Sequence, residues 1–238
     1  MRFQVLACDY DGTLATRGVV GPETVAGLER FRNSGRQLVM VTGRELPELR
    51  SVFPRFDLFD WVVAENGALL YQPSSGLEVP LAEPPPATFV DTLKARGVAP
   101  ISCGRVIIAT WHPHETVVMT TIRDFGLELQ VIFNKGAVMI LPSGVNKGTG
   151  LTACLKQMGL TPTAAVGIGD AENDHSLLGL CEVAVAVSNA LPMLKERADL
   201  VTVGDHGAGV VELIDKILAD DLAQLTPYYR LRQPTPIV

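Results

Sequence analysis

The sequence predicts an α/β fold, a parallel β-sheet covered by helices. Three observations lead there. Apolar runs of strand length alternate with helical segments in both the first and the last third of the chain. Acidic and glycine-containing turns recur where those runs end. The chain has 238 residues, 47% of them hydrophobic, enough to build a large buried interior and too apolar for a disordered protein. A formal net charge of −6 argues against general affinity for nucleic acid or an anionic membrane, so any anionic ligand would need locally gathered positive charge.

The elements follow in order. FQVLACDYDGTLAT opens with a buried strand that ends at Asp9 and Asp11. PETVAGLERFRNSG carries Val25, Leu28 and Phe31 at helical spacing, with Pro22 near its start and Gly35 to stop it. QLVMVTGR reads as a second buried strand, LPELRSVF as a short helix and DWVVAENG as a third strand. ALLYQPSSGLEVPL suggests a hairpin turning at Ser74, Ser75 and Gly76. Glu83 to Pro86 (EPPP) is a stiff break where a second module could attach. Beyond it lie a helix (ATFVDTLKARG), a strand (RVIIATW), a helix (ETVVMTTIRDFG) and two strands (LQVIF, AVMILP). That stretch of about 60 residues is near the lower size for an independent core and is expected to pack over the main domain. Strand and helix then alternate again: TGLTACLKQMG (helix), AAVGIGD (strand), ENDHSLLGLC (helix), VAVAV (strand), ALPMLKERA (helix), DLVTV (strand) and a closing helix in GAGVVELIDKILADDL. The chain is expected to divide into a core at 1–82 and 142–222, an inserted module at 83–141 and an aperiodic tail at 223–238.

Cys8, Cys103, Cys154 and Cys181 are far apart with no C-x-x-C spacing and read as reduced thiols. With no charged leader and apolar h-region, and no membrane-length apolar run, a cytoplasmic location is expected.

Asp9 and Asp11 stand two residues apart at a strand end, and adjacent anions repel unless a proton or a cation lies between them. A hard, oxygen-seeking ion such as Mg²⁺ suits that pair. An Asp-Gly turn alone would explain it as well, but VTGR (Val41 to Arg44), GVNKG (Gly144 to Gly148) and GIGDAEND (Gly167 to Asp174) follow at strand ends and helix starts. Lys147 opens a helix, where a cation opposes the helix dipole unless an anion is present.

Together, from about residue 3 to about 219, these four segments resemble the haloacid dehalogenase superfamily of aspartyl-phosphate-forming phosphohydrolases. Glu65-Asn66-Gly67 adds a likeness to its Cof-like or sucrose-phosphatase-like branch. The resemblance implies a Rossmann-like core and an α+β cap over it, with Asp9 as nucleophile and Asp11 as general acid and base. It implies Mg²⁺ held by Asp9, the Asp11 carbonyl and Asp170, with Asn173 and Asp174 behind them. Thr42 and Lys147 would meet the phosphoryl group, while Gly43, Arg44 and Asn66 would border the substrate. The expected activity is Mg²⁺-dependent hydrolysis of a small phosphorylated metabolite, a compact sugar phosphate or a phosphoglycolate-like acid. Two alternatives stay open: a phosphohexomutase-like transfer and a non-catalytic binding module. For the mutase, the second module shows only dispersed cations, Lys94, Arg96, Arg105, Arg123 and Lys135. His112 and His114 read as a surface turn rather than a zinc site, with substrate contact as the second reading.

Overall fold

A computed structural model of the chain describes residues 1–225, so the expected tail beyond that point lies outside the described residues. The first half of the large sheet is built by β1 (Val5–Asp9), α1 (Pro22–Asn33), β2 (Gln37–Val41), α2 (Leu46–Val52), β3 (Trp61–Ala64) and the hairpin β4 (Leu69–Gln72) and β5 (Leu77–Pro80). A second unit follows: α3 (Ala87–Ala95), β6 (Ser102–Cys103), β7 (Ile108–Trp111), α4 (Glu115–Phe125), β8 (Leu129–Asn134) and β9 (Ala137–Pro142). The chain then returns with α5 (Lys147–Gln157), β10 (Ala165–Gly169), α6 (His175–Leu180), β11 (Val183–Ala186), α7 (Pro192–Lys195), β12 (Leu200–Val201) and α8 (His206–Asp220).

The eight-stranded sheet runs β12-β11-β10-β1-β2-β3-β4-β5. Six strands are parallel and the β4–β5 hairpin closes one edge antiparallel. β1 lies between β10 and β2, in register at Val5 with Ala165 and Gln37. Covered on both faces, these strands read as continuous Val, Ile, Leu and Ala runs, and every residue of β1, β10 and β11 is buried. Their C-terminal ends share one edge of the sheet, where the reversal in strand order beside β1 opens a crevice.

The second sheet is antiparallel, in the order β6-β7-β9-β8. Its strands alternate. Ile108, Val138 and Ile140 pack with Phe89 and Leu93 of α3 and Val118 and Ile122 of α4, while Ala109, Trp111, Ala137 and Met139 line a cavity towards the large sheet. β6 has two exposed residues and no periodic pattern, which is why the sequence reading passes over it. α7 and β12 are shorter than the ALPMLKERA and DLVTV segments that predict them. No helix of the described residues is long and apolar enough to cross a membrane.

Candidate active site

β1 ends at Asp9, whose carboxylate is buried. Gly12, at φ 93°, turns the chain just beyond it, in a region of φ that glycine alone enters freely. A Cβ there would run into the Asp170 carboxylate, so Gly12 also permits the close approach of the last acidic loop. Lys147 is the first residue of α5, which is capped by Asn146 accepting the Thr149 N–H at 3.0 Å. The Lys147 ammonium, 1% exposed, donates to Asp9 Oδ1 at 2.5 Å and Asp174 Oδ1 at 2.6 Å. Asp174 Oδ2 in turn accepts the backbone N–H groups of Asp170 and Ala171, both at 2.9 Å. Asp174 therefore fixes the loop that carries Asp170.

Burial favours the neutral amine of Lys147, but the carboxylates of Asp174 and Asp9 outweigh it and hold the ammonium charged well above its ordinary value. Burial, with Asp174 beside it, pushes the Asp9 carboxyl above the usual carboxylate range against the pull of Lys147, and Asp170 adds to the rise. The acids thus outnumber the buried cation that serves them. A second cation supplies part of the balance. Lys135 Nζ, from the turn between β8 and β9, donates to Asp170 Oδ2 at 2.9 Å and to the Asp11 carbonyl at 3.0 Å.

Asp11 itself is engaged by Arg44, whose Nε and Nη2 donate to its two oxygens at 2.6 and 2.8 Å. Arg44 also pairs with Glu48 at 2.5 Å. Thr42, at the end of β2, is buried and accepts the Arg44 N–H at 3.1 Å. Asn66 is fully buried at positive φ and accepts a hydrogen bond from Asn173 Nδ2 at 3.0 Å. It braces Asn173 and is not among the residues that line the cavity, unlike the substrate contact expected of it. Glu65 is buried as well, and its oxygens accept the backbone N–H groups of Arg105, Val106 and Ile107 at 2.8, 2.8 and 3.0 Å. A residue at the tip of β3 thereby grips the chain where it leads into β7.

Between the two sheets lies a cavity of about 530 Å³. From the large sheet Asp9, Asp11, Gly43, Arg44, Lys147 and Asn173 face it; from the small sheet Ile101, Ala109, Trp111, Lys135 and Met139 do. His112 and His114 are not among its lining residues: His112 is exposed against Glu115, and His114, half-buried, holds Nε2 at 2.9 Å from the Ala99 carbonyl.

The haloacid dehalogenase-like hydrolase family matches residues 6–96 and 115–214. The chain belongs to that family. Among curated relatives, phosphoglycolate phosphatase 2 of Saccharolobus solfataricus is 31% identical over 237 residues, covering 94% of this chain and 97% of that protein. A phosphoglycolate phosphatase of Methanothermobacter thermautotrophicus is 29% identical, covering 90% and 99%. Among solved structures, a haloacid dehalogenase-like hydrolase from Bacteroides thetaiotaomicron superposes with a TM-score of 0.77 at 19% identity, covering 90% of this chain and 99% of that one. A Thermoplasma acidophilum protein superposes with a TM-score of 0.78 at 14% identity, over 92% and 99%. The family and the α/β fold expected from the sequence are borne out.

A divalent ion of this hydrolase family fits the residues present. Carboxylate oxygens of Asp9, Asp170 and Asp174 lie within 4.8 Å of one another, and the all-oxygen set suits a hard cation. An ammonium already occupies the space between Asp170 and the Asp11 carbonyl. Asn173 Oδ1 is buried without a partner, an acceptor that ion-bound water would satisfy. Lys135 escaped the sequence reading as a site residue, although Asn134-Lys135-Gly136 between two apolar strands signals a tight hairpin turn.

Proposed function

We propose that this hydrolase is a Mg²⁺-dependent phosphatase acting on a small phosphate monoester through an aspartyl-phosphate at Asp9. The phosphatase class is borne out by the curated relatives; the ion, the residue roles and the leaving group are inferred. The observation that carries the reading is the buried chain Asp174–Lys147–Asp9, set beside a pocket between Asp170 and the Asp11 carbonyl that holds positive charge.

Asp9, Asp170 and the Asp11 carbonyl would hold the ion, which supplies charge neutralisation for the phosphoryl oxygens. An Asp9 oxygen attacks phosphorus, the new O–P bond forms, and the ester O–P bond breaks. Asp11 gives its proton to the departing alkoxide and later takes one from the water that cleaves the aspartyl-phosphate, releasing phosphate and restoring Asp9. Both Asp11 oxygens are committed to Arg44 here, so substrate arrival has to loosen that pair before Asp11 can pass a proton. Lys147 holds Asp9 in place and neutralises charge as the phosphoryl group arrives. Residues 83–141 act as the cap that closes the cavity and excludes bulk water. A mutase would need a cap able to grip a second phosphate, and one cap cation, Lys135, lines the cavity among the described residues.

The test is phosphate release from a panel of monoesters that includes 2-phosphoglycolate and sugar phosphates, with Mg²⁺, with EDTA and with Asp9→Asn. Turnover that needs Mg²⁺ and vanishes in Asp9→Asn is expected. No release from any ester by folded protein would overturn the reading.

A further inference from the structure

β8 and β9 pair as far as Asn134 with Ala137, leaving a two-residue turn of Lys135 and Gly136 with φ of 49° and 92°. Positive φ at both positions is the tightest hairpin geometry, and the first position ordinarily takes Asn, Asp or Gly. A lysine held there is an outlier of the kind found where function over-rides local preference. The strands fix the stem, and the hairpin carries a cation across the cavity to the acidic end of the large sheet.

The two atoms its ammonium touches, Asp170 Oδ2 and the Asp11 carbonyl oxygen, are those that the phosphatase reading assigns to the divalent ion. Ammonium and ion cannot share that place, because like charges in contact repel strongly even when partly screened. Ion binding must therefore turn the ammonium back into the cavity. There Arg44 already holds two of the facing carboxylates, Asp11 through both its oxygens and Glu48 through one, which leaves Glu45, on the far side of Arg44 in the sequence, as the third. The nearby cap wall offers no charge: it is formed by Ile101, Ala109, Trp111 and Met139, with Ser102, Thr110 and Asn134 as its polar members. The displaced cation is left with no ion-pair partner of its own among the described residues, and the phosphoryl oxygens are already served by Lys147 and the ion. A negative charge on the leaving group, bound between the two sheets, is placed to meet it.

We propose that Lys135 is a specificity-determining residue of the cap that selects monoesters whose leaving group carries a carboxylate, using an ammonium that rests in the cation seat until the ion arrives. This rests on the phosphatase reading. A charge-assisted hydrogen bond of this kind stabilises its complex enough to change kcat/KM about 10- to 100-fold.

The experiment compares 2-phosphoglycolate with ethyl phosphate, nearly the same size without the carboxylate, in the parent and in Lys135→Met and Lys135→Arg, with Mg²⁺ affinity measured by calorimetry without substrate. The ratio of kcat/KM for the two esters is expected to favour 2-phosphoglycolate in the parent, to fall at least about tenfold in Lys135→Met, and to recover in part in Lys135→Arg. Mg²⁺ is expected to bind Lys135→Met as tightly as the parent or more tightly, since a competitor has been removed. An unchanged ratio, or weaker Mg²⁺ binding in Lys135→Met, overturns the proposal. A parent that hydrolyses neither these esters nor any other overturns the phosphatase reading instead.

Discussion

Every residue of β1 in the large sheet is buried, whereas every residue of β8 in the small sheet keeps some contact with solvent. The core rests on an extensive cluster reaching from Phe3 to Leu222, while the cap's helices close over eight buried residues. The difference teaches where each kind of chemistry can be kept. Buried strands with helices on both faces can hold the Lys147 ammonium within 2.6 Å of both Asp9 and Asp174, because little there can relax. A half-solvated sheet cannot hold such a cluster, but it can offer a wall and one mobile charge. The halves are joined partly by electrostatics, through the Glu65 carboxylate and three backbone N–H groups.

The largest expected effect separates chemistry from architecture. Asp9→Asn should lower kcat for phosphate release by roughly 10⁴-fold or more while leaving the cap in place. Phosphate-release kinetics beside hydrogen exchange in β7–β9 checks this, and retained turnover would mean that the core does not supply the nucleophile. Next comes the joint. Glu65→Ala strands buried donors at about 1–3 kcal/mol each, so it should destabilise cap docking by about 3 kcal/mol. Exchange of the Arg105, Val106 and Ile107 amides should then rise with that of the cap and ahead of the core. Uniform change throughout the chain would show that the joint belongs to a single cooperative unit.

Phe89 is fully buried in the cap and meets the Phe125 ring edge-on at 5.8 Å between centroids. Phe89→Ala should cost about 3–5 kcal/mol, split thermal unfolding into two transitions, and shift only the earlier one. One transition moving as a whole would erase the contrast between the halves. The smallest effect lies far from the site, at Asp221. Burial works to raise its carboxyl, but Arg36, at 2.8 Å, and backbone N–H groups outweigh that and hold it below the usual value. A depressed carboxyl contributes stability that is present above the unfolded-state value and is lost as pH falls through the folded one. Asp221→Asn should therefore lower the core transition modestly near neutral pH, with parent and variant converging under strong acid and the cap transition unmoved throughout.

The parallel strands were legible because burial on both faces leaves unbroken apolar runs such as VLACD and AVGIG, each ending at a carboxylate or a glycine turn. The proposed catalytic positions drew notice for the same reason, since a charged residue at the end of such a run needs a purpose. Glu65 drew notice as part of the Glu65-Asn66-Gly67 likeness, and its carboxylate binds the backbone of residues 105–107, a partner 40 residues on that no local pattern records. Asn66 was expected to border the substrate, and its bracing role was not legible because its partner Asn173 lies 107 residues away. Lys135 read as one of several scattered cations, since its importance depends on a hairpin crossing to Asp170, a relation no local pattern records.

The strand order has a consequence for synthesis. β1 is made first but pairs with β10, and the Asp9 carboxylate meets Lys147 across 138 residues of sequence. Contacts so distant along the chain have to wait until both partners have been made. On the ribosome the proposed nucleophile therefore exists long before the cation that steadies it and the loop that completes its pocket. A nascent chain stopped anywhere before residue 170 carries the proposed nucleophile without Asp170 or Asp174, so on this reading phosphoryl-transfer chemistry is withheld until the last acidic loop has been made.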